Sequence, residues 1–312
     1  MHDTRHDIDL GGHVLKTLLY FDIFSYPLNE KEVFKFLKMK LFSEEVLAKC
    51  LHDLTESKHI YRFGDLYSLH PDENNVHRRV RGNAEAEKWL KVAMRKAKFI
   101  AAFPFVRGVM ASGSLSKGYM DDNSDLDFFI VTAPGRLWIA RTLLVLYKRI
   151  FLLNSHKEFC VNYFVDEKHL EIEEKNLFTA TELITLIPLY NPQCYGSLLA
   201  ANLWVNNFFP NCSFEAPRDS PADTGGILRR FFELILSPVA TVLDKLLMSI
   251  SRRRWTRIYS GRYSAEDFDV AFKTRRYVSK NHPNYFQKNI LERYEQKLTE
   301  FRSRLPQLTT HE

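Results

Sequence analysis

The chain has only four cysteines in 312 residues, and no two of them form a Cys-x-x-Cys pair. Cys50, Cys160, Cys194 and Cys212 therefore suggest no zinc site and offer no visible disulfide framework. Reduced thiols in a cytoplasmic protein are the expectation. The eleven histidines form no zinc-binding pattern with the cysteines. Long apolar runs are also missing. The most membrane-like stretch, Leu234 to Leu243, is too short to span a bilayer and is bounded by Glu233 and Asp244. The opening residues, MHDTRHDIDLGG, are polar and do not read as a secretory signal. The chain holds no internal repeat and no low-complexity tract.

What is present is an ordinary globular balance. Hydrophobic residues make up 45% and charged residues 26%, and an aromatic content of 13% is enough to build real cores, which excludes wholesale disorder. The length exceeds what one ordinary core needs, so two or three domains are expected. The net charge of +6 is uneven. Residues 225–312 carry 17 Lys and Arg against 9 Asp and Glu, a net +8, leaving about −2 for the rest. Such a basic third faces an anionic partner or is simply a set of solvated helix faces.

Pattern divides the chain into four regions: 10–70, 71–103, 104–215 and 216–312. In the first, Val14, Leu15, Leu18 and Leu19 repeat at helical spacing up to Tyr26-Pro27. Asn29 caps a second helix through Lys38, and Ser43 caps a third that places Val46, Leu47, Leu51 and Leu54 on one face. Ile60 to Phe63 and Leu66 to Leu69 flank Gly64-Asp65 and read as a β-hairpin. Three helices and a hairpin resemble the winged-helix family. The third helix is acidic, with Glu44, Glu45, Asp53 and Glu56 against Lys49, so DNA contact through it is not expected. Arg78 to Ala102 reads as a linker helix ended by Pro104.

The third region is α/β. Strands are expected over Val106 to Ser112, Leu126 to Thr132 and Phe159 to Val165. Helices are expected over Leu137 to Leu152 and Thr179 to Leu186, the latter stopped by Pro188. The fourth region opens with a Pro/Ser/Asp/Gly segment ending at Gly225-Gly226. It continues as helices over about 227–250, interrupted at Pro238, and about 284–303. Between them Arg252-Arg253-Arg254-Trp255, Arg257 and Tyr259 mix cations and aromatics, which suits RNA or nucleotide contact and equally suits a helix end.

The informative segment lies in the third region. A strand runs into Gly113-Ser114, and after ten intervening residues Asp125-Leu126-Asp127 leads into the hydrophobic run Phe128-Phe129-Ile130-Val131. Two carboxylates two apart on a strand point to one face, while Leu126 and Phe128 point to the core. Like charges on one face are costly unless a cation lies between them. Mg²⁺, or Mn²⁺, suits such a pair because it takes few protein ligands and completes its shell with phosphate oxygens and water. Gly113 permits close backbone approach to a phosphate, Ser114 offers a hydroxyl and an N–H, and Lys117 adds a point charge.

This composite resembles the signature of the DNA polymerase β-like nucleotidyltransferase superfamily: Gly-Ser, a spacer of about ten residues, then alternating carboxylates in a strand. The resemblance covers about 105–190. It implies an α/β (α+β) transferase domain with a small mixed sheet, flanked by the winged-helix-like module and the helical C-terminal region. It implies transfer of a nucleoside monophosphate from an NTP to an acceptor with release of pyrophosphate, with Asp125 and Asp127 holding the metal. It leaves the acceptor open among a small molecule, a protein side chain and an RNA end. The superfamily adds a carboxylate from a later strand. By alternation Glu158, Cys160, Asn162, Phe164 and Asp166 share a face here, and the central position is Asn162, an amide that cannot act as a base. Glu158 and Asp166 are the substitutes at the strand ends. The alternative function is a regulatory or nucleotide-sensing protein with a degenerate transferase domain. A cleft that holds a triphosphate also needs cations beyond Lys117, and Arg252, Arg253, Arg254 and Arg257 are the candidates from the basic third.

Overall fold

Asn29 stands ahead of Glu30-Lys31-Glu32, and the two side chains close a capping box. The Asn29 oxygen accepts from the Glu32 N–H at 2.9 Å and the Glu32 carboxylate accepts from the Asn29 N–H at 2.9 Å. The computed structural model of the chain describes residues 3–153, 157–212, 226–282 and 285–308. It begins with α1 (Asp3–Asp22), β1 (Leu28–Asn29), α2 (Glu30–Phe36), α3 (Glu44–Glu56), β2 (Tyr61–Phe63) and β3 (Leu66–Ser68). Ser43 caps α3 by accepting from the Glu45 N–H at 3.1 Å. The strands form a sheet in the order β1-β3-β2. Val14, Leu18, Leu47, Leu51 and Ile60 bury between the helices and this sheet.

The long helix α4 (Glu73–Ala101) follows, capped by Asp72. Next come β4 (Val106–Ser112), the single turn α5 (Gly113–Ser116), β5 (Asp127–Thr132), α6 (Leu137–Phe151), β6 (Cys160–Asp166), α7 (Leu177–Thr185), β7 (Ile187–Tyr190) and α8 (Pro192–Ala201). The chain continues through α9 (Ile227–Leu236), α10 (Ala240–Tyr259), α11 (Ala265–Ala271), β8 (Val278–Lys280) and α12 (Phe286–Leu308). A mixed five-stranded sheet runs β7-β4-β5-β6-β8, with only β5 and β6 parallel. The α6 crossover supplies that parallel pair.

Strand alternation gives the sheet two buried faces. Val109, Ala111, Phe128 and Ile130 pack with α4, α6 and α10 residues such as Ile100, Leu144 and Ala240. Met110, Phe129 and Val131 face the other way and join the N-terminal module, α7 and α8. The chain is thus a mixed α/β protein with small sheets.

The helix expected to stop before Pro188 does stop, at Thr185, but Pro188 itself lies in the edge strand Ile187–Tyr190, paired to β4, a place where a missing N–H is tolerated. Two expectations need correction. The C-terminal region is not purely helical, because β8 completes the sheet beside β6. The helix α4 is not a spacer either. Buried Arg79 on it pairs with Glu32 at 2.8 Å and donates to the Pro27 carbonyl, while Asn83 donates to the Gly118 carbonyl. The Pro/Ser/Asp/Gly segment expected before Gly226 lies outside the described residues.

Candidate active site

The register of β4 against β5 sets the site. Ser112 is the Cα partner of Asp127, so the chain leaves β4 at Gly113 directly beside that carboxylate. Gly113 has φ +63, and a Cβ there would overlap Asp127 Oδ2 and lie 3.2 Å from Asp127 Cβ and Cγ. Only glycine fits. The turn α5 follows at once. Ser116 Oγ closes it by donating to the Gly113 carbonyl at 2.8 Å, and Lys117 Nζ donates to the same carbonyl at 3.1 Å. From the N-terminal module, Tyr26 donates its hydroxyl to the Lys117 carbonyl at 2.9 Å.

A cleft of about 470 Å³ opens in front of this turn, and Gly113, Ser114, Lys117, Asp125 and Asp127 all line it. Asp125 stands in the coil just ahead of β5, two residues before Asp127. Between and after them Leu126 and Phe128 are buried on the opposite face. The cleft's other wall is apolar, built by Phe129, Tyr163, Phe178, Leu183 and Phe286. Phe129 and Tyr163 stack at 4.9 Å.

Asp127 is the perturbed group. Burial, opposed by a hydrogen bond from Cys160 and reinforced by the charges of Asp125 and Glu182, raises its carboxyl to about 6. Burial, and next the Asp127 carboxylate, push the Cys160 thiol up in turn. Lys148 on α6 has its ammonium range lowered by burial but is favoured in its charged form by Cys160, Asp125 and Asp127. It is a buried cation behind the carboxylate pair.

Asn162 donates Nδ2 to Asp127 Oδ1 at 3.2 Å. The strand around it does not alternate as its sequence suggests. A register shift pairs Phe128 with Val161 but Phe129 with Tyr163, leaving Asn162 as the extra residue of a bulge. Asn162 and Tyr163 therefore both line the cleft, while Phe164 turns to the opposite core. Neither residue expected at the strand ends lines the cleft. Glu158 lies outside the cleft in an ion pair with Lys96 at 3.0 Å. Asp166 is buried at the far end of β6, where it bonds His169 at 2.7 Å and accepts from the Lys168 and Gly135 N–H groups. Neither is available as a third carboxylate.

The sequence reading passed over Glu182, the single carboxylate on α7. It lines the cleft and pairs with Lys117 at 2.8 Å. The one signal for it was its isolation in an otherwise uncharged helix. The expected cations also change. Arg252 lines a separate cavity with Tyr263, Phe268 and Arg275, and Arg253, Arg254 and Arg257 are exposed on α10. The cleft's C-terminal cation is Lys280 on β8, a nearly buried side chain that donates to Gln287 at 2.8 Å and faces Glu174 at 3.6 Å. Beside it, burial and then Lys280 push the His282 imidazole down to about 3, so it is neutral.

Among the described residues no cluster of three or more His, Cys, Asp or Glu is arranged to hold a metal. The donor set fits an ion that needs only two carboxylates and takes the rest of its shell from phosphate and water. Burial first, and then the charges of Asp125 and Glu182, disfavour the charged Asp127 carboxylate, and a cation held there would relieve both. Comparison with protein-family models, with curated proteins and with solved structures finds no match for the chain.

Proposed function

We propose that the chain is a metal-dependent nucleotidyltransferase that moves a nucleoside monophosphate from an NTP to an acceptor hydroxyl. The observation that carries this reading is the contact of Gly113 with Asp127, in a cleft that also gathers Asp125, Ser114 and Lys117. A chain pressed this close against a carboxylate, with a serine next in line, suits the approach of a phosphate group to the backbone at Gly113-Ser114. Asp125 and Asp127 would hold Mg²⁺ or Mn²⁺, whose contribution when bound is to neutralise phosphate charge. Asn162 orients the Asp127 carboxylate through its amide.

In the reaction the acceptor oxygen bonds to the α-phosphorus. The bond from that phosphorus to the bridging oxygen breaks, and pyrophosphate leaves with the electron pair. Lys117 exchanges its Glu182 partner for the triphosphate, and the released Glu182 carboxylate takes the acceptor's proton. Lys280 adds positive potential on the opposite side of the cleft. The order and pairing of the sheet support a transferase domain of the polymerase β kind, and the helix and strand order of residues 3–68 supports a winged-helix module. Glu44, Glu45, Asp53 and Glu56 are exposed on α3, which argues against DNA as that module's partner. Use of NTPs, and the lack of any disulfide among the four cysteines, favour the cytoplasm.

Thermal unfolding tests the reading. An NTP with Mg²⁺ should raise the melting temperature, and Asp125→Asn should remove the shift. No shift with any NTP would overturn the proposal. The second reading, a nucleotide sensor with a weak or silent transferase, is favoured by Asn162, an amide where a carboxylate is expected. It predicts the same thermal shift without pyrophosphate release.

A further inference from the structure

The helix α9 is built inside out. Arg229 and Glu233 hold it to the protein, while most of its apolar residues face outward. Arg229, only 5% exposed, donates to the carbonyls of Ala101 and Val106 at 3.2 and 3.0 Å. One turn on, Glu233 accepts from the Phe105 N–H at 2.7 Å and from both Arg107 terminal nitrogens at 2.8 and 3.0 Å. The opposite face carries Ile227 at 90% exposure, Leu234 at 73%, and Phe231 and Ile235. A helix normally buries its apolar stripe and solvates its charges. Here the ion pairs do the anchoring, so the apolar stripe is left for something outside the chain.

The stripe continues around a bend. Ser237-Pro238 breaks the helix, and the segments Ile227–Leu236 and Ala240–Arg262 meet at 87°. From Val239, just ahead of α10, through Val242, Leu246 and Ile250 on it, exposed residues recur every three or four positions, while Leu243 and Leu247 pack inward. Between Ile227 and Ile250 ten large apolar side chains are exposed. A concentration of this kind on one elbow marks an interaction surface rather than ordinary scatter.

Charge identifies the occupant. In residues 227–262 the acidic residues are Glu233 and Asp244, and both are engaged inward: Glu233 in the anchor, Asp244 as acceptor for the Trp138 and Ile139 N–H groups. Exposed charge on the elbow is therefore cationic, from Arg230 and Lys245 through Arg252, Arg253, Arg254 and Arg257. We infer that the α9–α10 elbow lies in the surface of an anionic lipid bilayer, with its apolar stripe in the acyl boundary and its cations among the headgroups. Among the described residues no single helix is long and apolar enough to cross a membrane, and α9 and α10 reach that length and composition only together, across their 87° bend. An exposed apolar stripe bordered by basic residues is the pattern of a helix lying in the interface plane. A second copy of the chain fits less well, because a symmetric contact would bring each arginine cluster close to its like-charged equivalent. The stretch just ahead of α9, residues 213–225, has Phe214 as its one large apolar residue and cannot supply a matching stripe.

The test is flotation of the full chain with phosphatidylcholine vesicles, with and without phosphatidylglycerol, alongside light scattering for oligomeric state. Binding should require phosphatidylglycerol and weaken with salt. Leu234→Glu with Val242→Glu should weaken it at least tenfold, on the order expected for two apolar side chains withheld from the membrane. Lys245→Gln with Arg253→Gln should weaken it about 30-fold, from roughly fivefold for each cation near the surface. These four positions are exposed and remote from the cleft, so the thermal shift with NTP and Mg²⁺ serves as the folding control and reports separately on the transferase reading. Absence of vesicle binding, or equal binding to phosphatidylcholine alone, overturns the inference. So does a wild-type oligomer that Leu234→Glu with Val242→Glu converts to a monomer while vesicle binding is unchanged.

Discussion

Replacing Gly113 by alanine should damage stability and nucleotide binding together. The loss has two parts. The backbone at φ +63 costs a residue with a Cβ roughly 1–2 kcal/mol. The new methyl also overlaps Asp127 Oδ2, so Asp127 must move and its 3.2 Å hydrogen bond from Asn162 must stretch. Forcing an extra carbon into a packed site of this kind costs roughly a further 1–3 kcal/mol. Together this is roughly 2–5 kcal/mol, or about 4–10 °C at about 2 °C per kcal/mol for a chain of this size. Gly118 provides the control. It has φ +69, but the nearest atom to an added Cβ is the Asn83 amide nitrogen at 3.5 Å, an ordinary contact. Gly118→Ala should therefore show the backbone part alone. The assay is the melting temperature of both variants with and without NTP and Mg²⁺. An NTP at 100 times its Kd stabilises by about 2.7 kcal/mol, a shift of about 5 °C. Gly118→Ala should keep that shift and Gly113→Ala should lose it. Equal destabilisation of the two variants, with the nucleotide shift intact in both, would refute the argument that the Gly-Ser step exists to bring backbone against the carboxylate.

Glu182→Gln should keep the thermal shift with NTP and Mg²⁺ but lower pyrophosphate release at least a hundredfold, the usual contribution of a positioned base; unchanged turnover would remove Glu182 from the mechanism. Asn162→Asp places a carboxylate where an amide now donates to Asp127 at 3.2 Å. It should lower the melting temperature without divalent ions and enlarge the gain on adding Mg²⁺, and a variant equally stable with and without Mg²⁺ would count against metal at this pair. Asp244 gives a stability prediction away from the cleft. Burial raises its carboxyl from 3.8 to about 6, and its Oδ2 has no hydrogen-bond partner among the described residues. The folded chain therefore keeps a proton that the unfolded chain releases, and stability should fall as pH rises from about 4 to about 6, by about 3 kcal/mol in total. Asp244→Asn keeps an acceptor for the Trp138 and Ile139 N–H groups and should lose that fall, which urea unfolding at the two ends of the window would reveal.

Local rules made much of this molecule legible. The caps at Asn29 and Ser43, the turn at Gly64 and the alternation of Leu126, Phe128 and Ile130 each depend on neighbours a few residues away, and each is visible in the sequence. What stayed hidden depends on distant partners. The bulge at Asn162 arises in the pairing of β6 with β5, and nothing within Cys160–Asp166 announces it. Glu182 reaches the cleft because α7 folds over it, and Lys280 because β8 joins the far edge of the sheet. The charge sum of the last third correctly implied a basic side chain in the cleft wall, but it pointed to the arginines of α10. A sum has no direction, and Lys280 sits in a short strand that composition alone does not distinguish from a loop. Alternation misplaces Asp166 because the bulge at Asn162 reverses it from there on, and Glu158 because that residue stands in a turn ahead of β6, outside the ladder.

The strand β4 ties the cleft and the α9–α10 elbow together. At its end Ser112 delivers the chain to Gly113 and the carboxylates. At its start Phe105, Val106 and Arg107 take the ion pairs and hydrogen bonds that pin α9. Seven extended residues separate these ends, a distance on the order of 23 Å. The elbow and the cleft therefore lie at opposite ends of one rigid, centrally paired strand. They also lie on opposite sides of the sheet, since α10 packs with the Phe128 face and the cleft opens on the Phe129 face. An elbow seated in a bilayer would hold the cleft away from the lipid, open to a nucleotide arriving from the aqueous side. Neutral substitutions in the elbow should then change where the protein resides without changing its rate on a soluble NTP. Changes in the cleft should do the reverse, because no titratable or hydrogen-bonded side chain of the elbow lines the cleft.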